Sequence, residues 1–208
     1  MVNESIDSGR EFDWGRASED YARYRDIYPD EFYRKLLSEG LCGNGRRILD
    51  IGTGTGVLPR NLSKYGGHFV GADISENQIK YAKILTEKAG LDIDYVVCSA
   101  EKLPFEDGSF DTVLSLNGFH AFPDKEAAYR ETLRVLRPGG TFCGCFYVEG
   151  AYGRTDWMVK HIYQPAKFFT PPYETVDSLR ARLKRMYADV RMDNLKSIAW
   201  FVCRKAEK

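Results

Sequence analysis

From about residue 30 to residue 147 the chain alternates strand signals with helix signals, and few folds tolerate that pattern. Strands joined through helices must cross over, and such crossovers are right-handed and build a parallel sheet covered on both faces. Apolar strand runs read at residues 46–51, 68–73, 93–98, 110–116 and 141–148. Between them lie helical stretches. One starts at Pro29, a suitable first helical position, with Asp30 and Glu31 at the positive end of its dipole. Another opens at Thr55 or Gly56. A third follows Ser75, a side chain suited to capping, and Gly90 ends it. A fourth follows Pro123-Asp124 and stops at the turn Arg137-Pro138-Gly139-Gly140.

The pattern changes after residue 148. Residues 149–175 read as irregular and aromatic, residues 176–187 as a helix, and residues 190–195 and 198–204 as two strands. A link that short permits only an antiparallel hairpin. The expected fold is therefore α/β and doubly wound: a mostly parallel seven-stranded sheet, one antiparallel strand near an edge, helices on both faces. At 208 residues and 43% hydrophobic content the chain fills one core. We expect a single domain, with residues 1–40 as an N-terminal cover, 46–148 as the binding core, 149–175 as a variable segment and 176–208 as the C-terminal helix and hairpin.

Thirty basic and thirty acidic residues balance, with no long run of one sign, so the electrostatic footprint of a nucleic-acid binder is missing. Residues 1–15 are polar and acidic rather than a secretory leader, and no apolar run approaches the roughly 18 residues of a membrane span. Of the five cysteines, Cys143 and Cys145 fall on one face of a strand rather than in a Cys-x-x-Cys pair. Reduced, buried thiols and a cytoplasmic location are expected. Neither metal ligation nor a membrane or nucleic-acid partner is expected; the sequence does not set the oligomeric state.

The stretch Leu49-Asp50-Ile51-Gly52-Thr53-Gly54-Thr55-Gly56 follows a strand and precedes a helix, where open α/β sheets bind ligands. A dinucleotide fingerprint fails by one residue, because its third glycine position holds Val57. Asp50 would also repel a pyrophosphate. It suits a cationic ligand better, such as S-adenosylmethionine, which carries an ammonium and a sulfonium and no phosphate. Asp73, at the end of the second strand, can accept both hydroxyls of a ribose, which either ligand has; it can also cap the turn before Ser75.

Four stretches in order resemble the class I methyltransferases, particularly the branch that acts on small molecules, related to the ubiquinone and menaquinone enzymes. They are residues 49–56 above, Val70-Gly71-Ala72-Asp73-Ile74-Ser75, Ser99-Ala100-Glu101-Lys102-Leu103-Pro104 continuing to Asp111, and Leu133 to Gly140. The resemblance implies S-adenosylmethionine as cofactor, with a Rossmann-like fold. It places Asp50 near the methionine amine, Gly52, Thr53 and Gly54 along the methionine and ribose, and Asp73 on the ribose. Ile74 and Gln78 fall beside the adenine, Ala100 and Glu101 at its edge, and Asn117 at the amino-acid end. The run Tyr21-Ala22-Arg23-Tyr24-Arg25 resembles the N-terminal segment of such enzymes and makes Tyr21 and Arg25 cofactor contacts.

Amine- and glutamine-directed members often carry Asn/Asp-Pro-Pro-aromatic after the fourth strand. Here that place holds Ser115-Leu116-Asn117-Gly118-Phe119-His120, and Pro171-Pro172-Tyr173 comes much later. The expected acceptor is a small molecule methylated on O, N or C. His120, at the mouth of the sheet, is the candidate catalytic base; a hydrogen-bonded structural histidine is the other reading. Two aromatic groups, Phe12 to Tyr28 and Tyr147 to Tyr173, can line an acceptor pocket or pack helices. The alternatives are a non-catalytic module that keeps the cofactor fold and, disfavoured by Asp50 and Val57, an NAD-dependent oxidoreductase.

Overall fold

The computed structural model describes residues 38–208. Their strands are β1 (Arg47–Ile51), β2 (His68–Asp73), β3 (Asp94–Val97), β4 (Phe110–Leu116), β5 (Leu136–Tyr147), β6 (Asp189–Leu195) and β7 (Ile198–Arg204). The helices are α1 (Val57–Leu62), α2 (Glu76–Lys88), α3 (Lys125–Val135), α4 (Gly153–Met158) and α5 (Val176–Met186). One seven-stranded sheet runs in the order β3-β2-β1-β4-β5-β7-β6. The first five strands pair in parallel. β7 is antiparallel to both β5 and β6, which makes it the single reversed strand, one place in from the edge.

Side chains alternate across the sheet and feed two apolar layers. Leu49, Ile51, Val113 and Phe142 pack with Tyr129 and Val135 of α3 and Leu179 and Leu183 of α5. Ile48, Phe69 and Leu114 pack with Leu58 and Leu62 of α1 and Ile79 and Ala82 of α2. Both layers are fully buried at their centres, so a one-residue slip of any inner strand would invert its core. Three of the helices, α2, α3 and α5, begin where short polar side chains take orphan backbone donors: Ser75 accepts from Gln78 N–H and Asp124 from Ala127 N–H. Thr175 and Ser178 form a reciprocal capping box at α5.

Two segments depart from the sequence reading. Arg137-Pro138-Gly139-Gly140 is not a turn outside the strand but an excursion within β5. Leu136 already pairs with Phe110 and Thr141 with Thr112, so the four residues loop out opposite Asp111. Gly139, at φ 70°, makes the bend, and the Asp111 carboxylate clamps it through the Arg137 guanidinium at 2.8 Å and Arg47 N–H at 2.8 Å. Residues 149–175, expected to be irregular, contain α4 followed by a π-helical turn, Val159–Tyr163. Only Val159 is buried there, so no apolar stripe announces a helix. Among the described residues no helix is long and apolar enough to cross a membrane.

Candidate cofactor site

The carboxyl ends of β1, β2 and β4 converge at one edge of the sheet, the place where an open α/β fold leaves a crevice. The chain leaves β1 through Gly52, Gly54 and Gly56, all with φ between 56° and 74°, a left-handed conformation that a side chain resists. The N–H groups of Gly52 and Thr53 both reach the Ala72 carbonyl, at 2.8 and 3.0 Å, which folds the loop back over β2. Gly118 closes the other side. A Cβ there would come within 2.7 Å of Ser115 Oγ and 3.0 Å of the Phe122 ring, while Ser115 Oγ donates to the Ile51 carbonyl at 2.9 Å.

Asp50 stands beneath this loop with 3% of its surface exposed. Burial pushes its carboxyl up to about 7; the Thr53 hydroxyl acts against that, and the Asp73 charge adds to it. No cation figures among these influences from the described residues. Asp73 meets the loop directly: its two oxygens accept the N–H groups of Gly54 and Ser75, each at 2.9 Å. A cleft of about 270 Å³, mouth included, opens beside it. Its lining joins Gly52, Asp73, Ile74 and Ala100 to Ile51, Ala72, Cys98 and Phe122.

Most of the sequence-selected residues therefore meet in one place. Gln78 is buried behind the loop, its Oε1 3.6 Å from where a Gly54 Cβ would stand. Glu101 follows Ala100 at the rim, accepting from Ser99 Oγ through Oε2, while its buried Oε1 has no hydrogen-bond partner among the described residues. Asn117 takes φ 56° at the end of β4 and donates its N–H to the Cys145 carbonyl at 2.7 Å, leaving its side chain exposed. His120 does not line the cleft; it lies two residues past Gly118 on a short 3₁₀ turn. Tyr21 and Arg25 lie outside the described residues. Sequence reasoning passed over Phe122 and Cys98. Phe122 belongs to the same post-β4 stretch as Asn117 and His120, and that proximity is the one signal that could have found it. Burial raises the Cys98 thiol to about 12, which makes it an inert wall.

Comparison with known proteins decides what this crevice belongs to. Residues 49–144 match the family described as a methyltransferase domain. The ubiquinone biosynthesis O-methyltransferase of Ruegeria pomeroyi is 34% identical over 160 residues, 72% of this chain and 64% of that one. The demethylmenaquinone methyltransferase of Thermus thermophilus is 42% identical over 109 residues, 51% of this chain and 50% of that one. Over this core the chain is similar to the class I methyltransferases. Their methyl donor is S-adenosylmethionine. Among solved structures, the YcgJ protein of Bacillus subtilis superposes with a TM-score of 0.67 at 24% identity, over 79% of this chain and 71% of that one, a likeness of fold. The chain spans less than two thirds of the length of the curated relatives it matches.

Next to this crevice the chain has an aromatic wall. Phe169, from the variable segment, stacks on the His120 ring with centroids 4.0 Å apart and on Tyr163 at 5.5 Å. Tyr147 and Tyr173 meet it edge-on. Thr170 pins the segment down: its N–H donates to the His120 carbonyl at 2.9 Å and its hydroxyl to the Ala121 carbonyl at 3.2 Å. Its own carbonyl accepts from Lys125 Nζ at 2.6 Å. Burial lowers the Lys125 amine to about 8. His120 is buried, with 9% of its surface exposed, and burial, with the Lys125 charge adding to it, lowers its imidazole to about 3. Its Nδ1 has no hydrogen-bond partner among the described residues.

Proposed function

We propose that this chain transfers the methyl group of S-adenosylmethionine to an O, N or C atom of a small, ring-bearing acceptor. The observation that carries the reading is the pairing of two acids with an apolar cleft. Asp50 is a buried carboxyl with a raised pKa and thus gains most from a cationic ligand group. Asp73 offers a carboxylate already oriented by two backbone donors. Ile74, Ala100 and Phe122 supply flat apolar surface for a nucleobase. These residues fit the cofactor: Asp50 on its ammonium side, Asp73 on the ribose, Ile74 and Ala100 on the adenine, with Glu101 Oε1 as a ready acceptor at the edge. Gly52, Thr53, Gly54, Gln78 and Asn117 complete the contact set.

When bound, the cofactor supplies an electrophilic methyl on sulfur, and transfer is an in-line displacement whose rate depends mainly on holding the acceptor atom close and aligned. The aromatic wall is the acceptor side. At neutral pH His120 is an uncharged imidazole and a weak base, so its part is to hold the acceptor through a ring nitrogen rather than to drive deprotonation. The relatives named for quinone biosynthesis support a small aromatic acceptor.

The test has two stages. Calorimetry should show S-adenosylhomocysteine binding and negligible binding of NAD; equal affinities would remove the assignment of Asp50. Labelled-methyl transfer into a metabolite extract should then yield a methylated small molecule. Tight cofactor binding with no transfer would leave a binding module.

A further inference from the structure

The described residues expose seven large hydrophobic side chains, and five of them, Tyr152, Trp157, Ile162, Leu195 and Ile198, belong to two adjoining segments. Scattered single exposures are ordinary, whereas a concentration of this kind marks an interaction surface. Trp157 and Ile162 stand on α4 and the π turn that continues it; Trp157 is 57% exposed and stacks outward on His161. Leu195, 75% exposed, and Ile198 flank the β6–β7 turn. The two segments are fastened together: Ser197 Oγ reaches the Tyr152 carbonyl at 3.5 Å and Asp156 at 3.4 Å, and Lys196 Nζ lies 5.1 Å over the Tyr152 ring.

Exposed cations outnumber exposed acids on this patch. Arg154, Lys160 and Lys196 are all exposed on the same two segments. Asp156 is engaged inward by the Tyr147 hydroxyl at 2.8 Å and by Gly150 N–H, which leaves Asp193 as the exposed acid of these segments. The position is as telling as the chemistry. Ile198 pairs with Tyr147, so the patch lies at the carboxyl end of β5, on the crevice edge of the sheet. From there Tyr163, which closes the π turn, stacks on Phe169, and Phe169 stacks on His120. The patch and the acceptor wall are the two sides of one segment.

We propose that this face docks on an anionic lipid surface, with Trp157, Ile162 and Leu195 entering the interface and the three cations meeting headgroups. Tryptophan beside aliphatic side chains, rimmed by long cationic ones, is the composition of interfacial protein segments. Two other occupants fit less well. An isologous pair of this chain would bring three cations against the same three. Nucleic acid would use the cations and the ring of Trp157 but leave Leu195, Ile198 and Ile162 without partners. The proposal rests on the reading of a small apolar acceptor and deepens it: the acceptor is lipid-dissolved and enters from the bilayer along the Tyr163–Phe169 side.

The full chain, with neither cofactor nor acceptor, is spun down with vesicles of phosphatidylcholine alone and of phosphatidylcholine carrying one third phosphatidylglycerol. Binding is expected on the anionic vesicles and at least about tenfold weaker on the neutral ones, since each surface cation near an anionic membrane is worth about a fivefold change. Trp157→Ala combined with Leu195→Asn should weaken it about tenfold or more, and Lys160→Glu by about fivefold or more, with melting temperatures unchanged because all three side chains face solvent. No sedimentation with either vesicle overturns the proposal, as does binding that these variants leave intact. A dimer that the double variant dissolves, or preferential binding of a single-stranded RNA oligomer, also overturns it. Because cofactor titration and vesicle binding are separate measurements, failure of one leaves the other readable.

Discussion

Gly54 donates its backbone N–H to Asp73 Oδ2 at 2.9 Å, so the acid that ends β2 holds the middle of the glycine loop. The other oxygen takes Ser75 N–H, at the start of α2. One carboxylate thus orients the loop after β1 and the turn after β2, and the cleft between them exists because both are fixed. The two uses of Asp73 open in the sequence, ribose acceptor and turn cap, draw on the same oxygens without competing, because a carboxylate has about four lone-pair sites.

Asp73→Ala should therefore cost twice. Leaving two backbone donors without their partner should lower the unfolding free energy by about 1–3 kcal/mol, and S-adenosylhomocysteine binding should weaken by a similar amount. Asp73→Asn keeps one oxygen and should lose less of both. Urea denaturation and calorimetric titration read the two separately. A folded Asp73→Ala protein with unchanged affinity would take Asp73 out of the ribose site and leave it a turn cap.

Asp50 makes the free protein pH-sensitive in a defined direction. Its folded value is raised to about 7 from 3.8. Between those values the folded state holds a proton that the unfolded chain releases, so this group's stabilisation is complete below about pH 4 and is lost as pH rises through about 7. Asp50→Asn should flatten that part of the urea midpoint profile. Cofactor affinity should move the opposite way, strengthening by up to about tenfold per pH unit below 7, since ligation of an ammonium needs the ionised carboxylate. An affinity independent of pH from about 5 to 8 would show that Asp50 does not meet the cation.

The glycine loop, Asp50 and Asp73 are legible in the sequence because their signals are local. Three glycines with positive φ sit between a strand and a helix, Asp73 closes its strand and Asp50 stands one residue before the end of its own. The sheet with its single reversed strand is legible for a related reason: the two-residue link at Lys196 and Ser197 admits only a hairpin. Phe122 is not legible. It enters the cleft because a 3₁₀ turn at residues 119–121 rotates it there, and no residue type in that turn demands it. Helix α4 is hidden because an outward-facing segment with one buried side chain has no apolar period to read. The four residues after Leu136 mislead because Pro138 and Gly139 carry turn chemistry, while pairing on either side of them with β4 decides the structure.

His120 separates a proton-transfer role from a holding role. Its lowered pKa predicts a pH–rate profile without an inflection near 6.5. His120→Phe preserves a ring to stack on Phe169 and removes both nitrogens. If a nitrogen holds the acceptor, kcat/KM should fall by about ten- to a hundredfold, the worth of one buried hydrogen bond, with the cofactor dissociation constant unchanged. Unchanged kcat/KM would return His120 to the packing of the variable segment.

Tyr95 on β3 sets how tightly the glycine loop can lie on β2. A Cβ on Gly71 would stand 2.7 Å from two Tyr95 ring carbons and 2.9 Å from Thr53 Cγ2, and one on Gly56 would stand 2.2 Å from the Tyr95 hydroxyl. That hydroxyl is committed to Thr86 Oγ1 of α2 at 2.9 Å, so the ring has no free direction to retreat. Gly71 lies in a strand without positive φ, so Gly71→Ala tests contact rather than backbone strain. Overpacking of this kind should cost about 1–3 kcal/mol. Because the displaced neighbour includes Thr53, S-adenosylhomocysteine affinity should fall with it. Tyr95→Leu alone should also destabilise, by losing ring contacts and stranding the Thr86 hydroxyl. Combined, the two substitutions should cost less than their sum, since the smaller side chain gives the new methyl room. Urea denaturation of the four proteins measures that coupling, and strict additivity would mean that the ring and the strand glycine do not constrain each other.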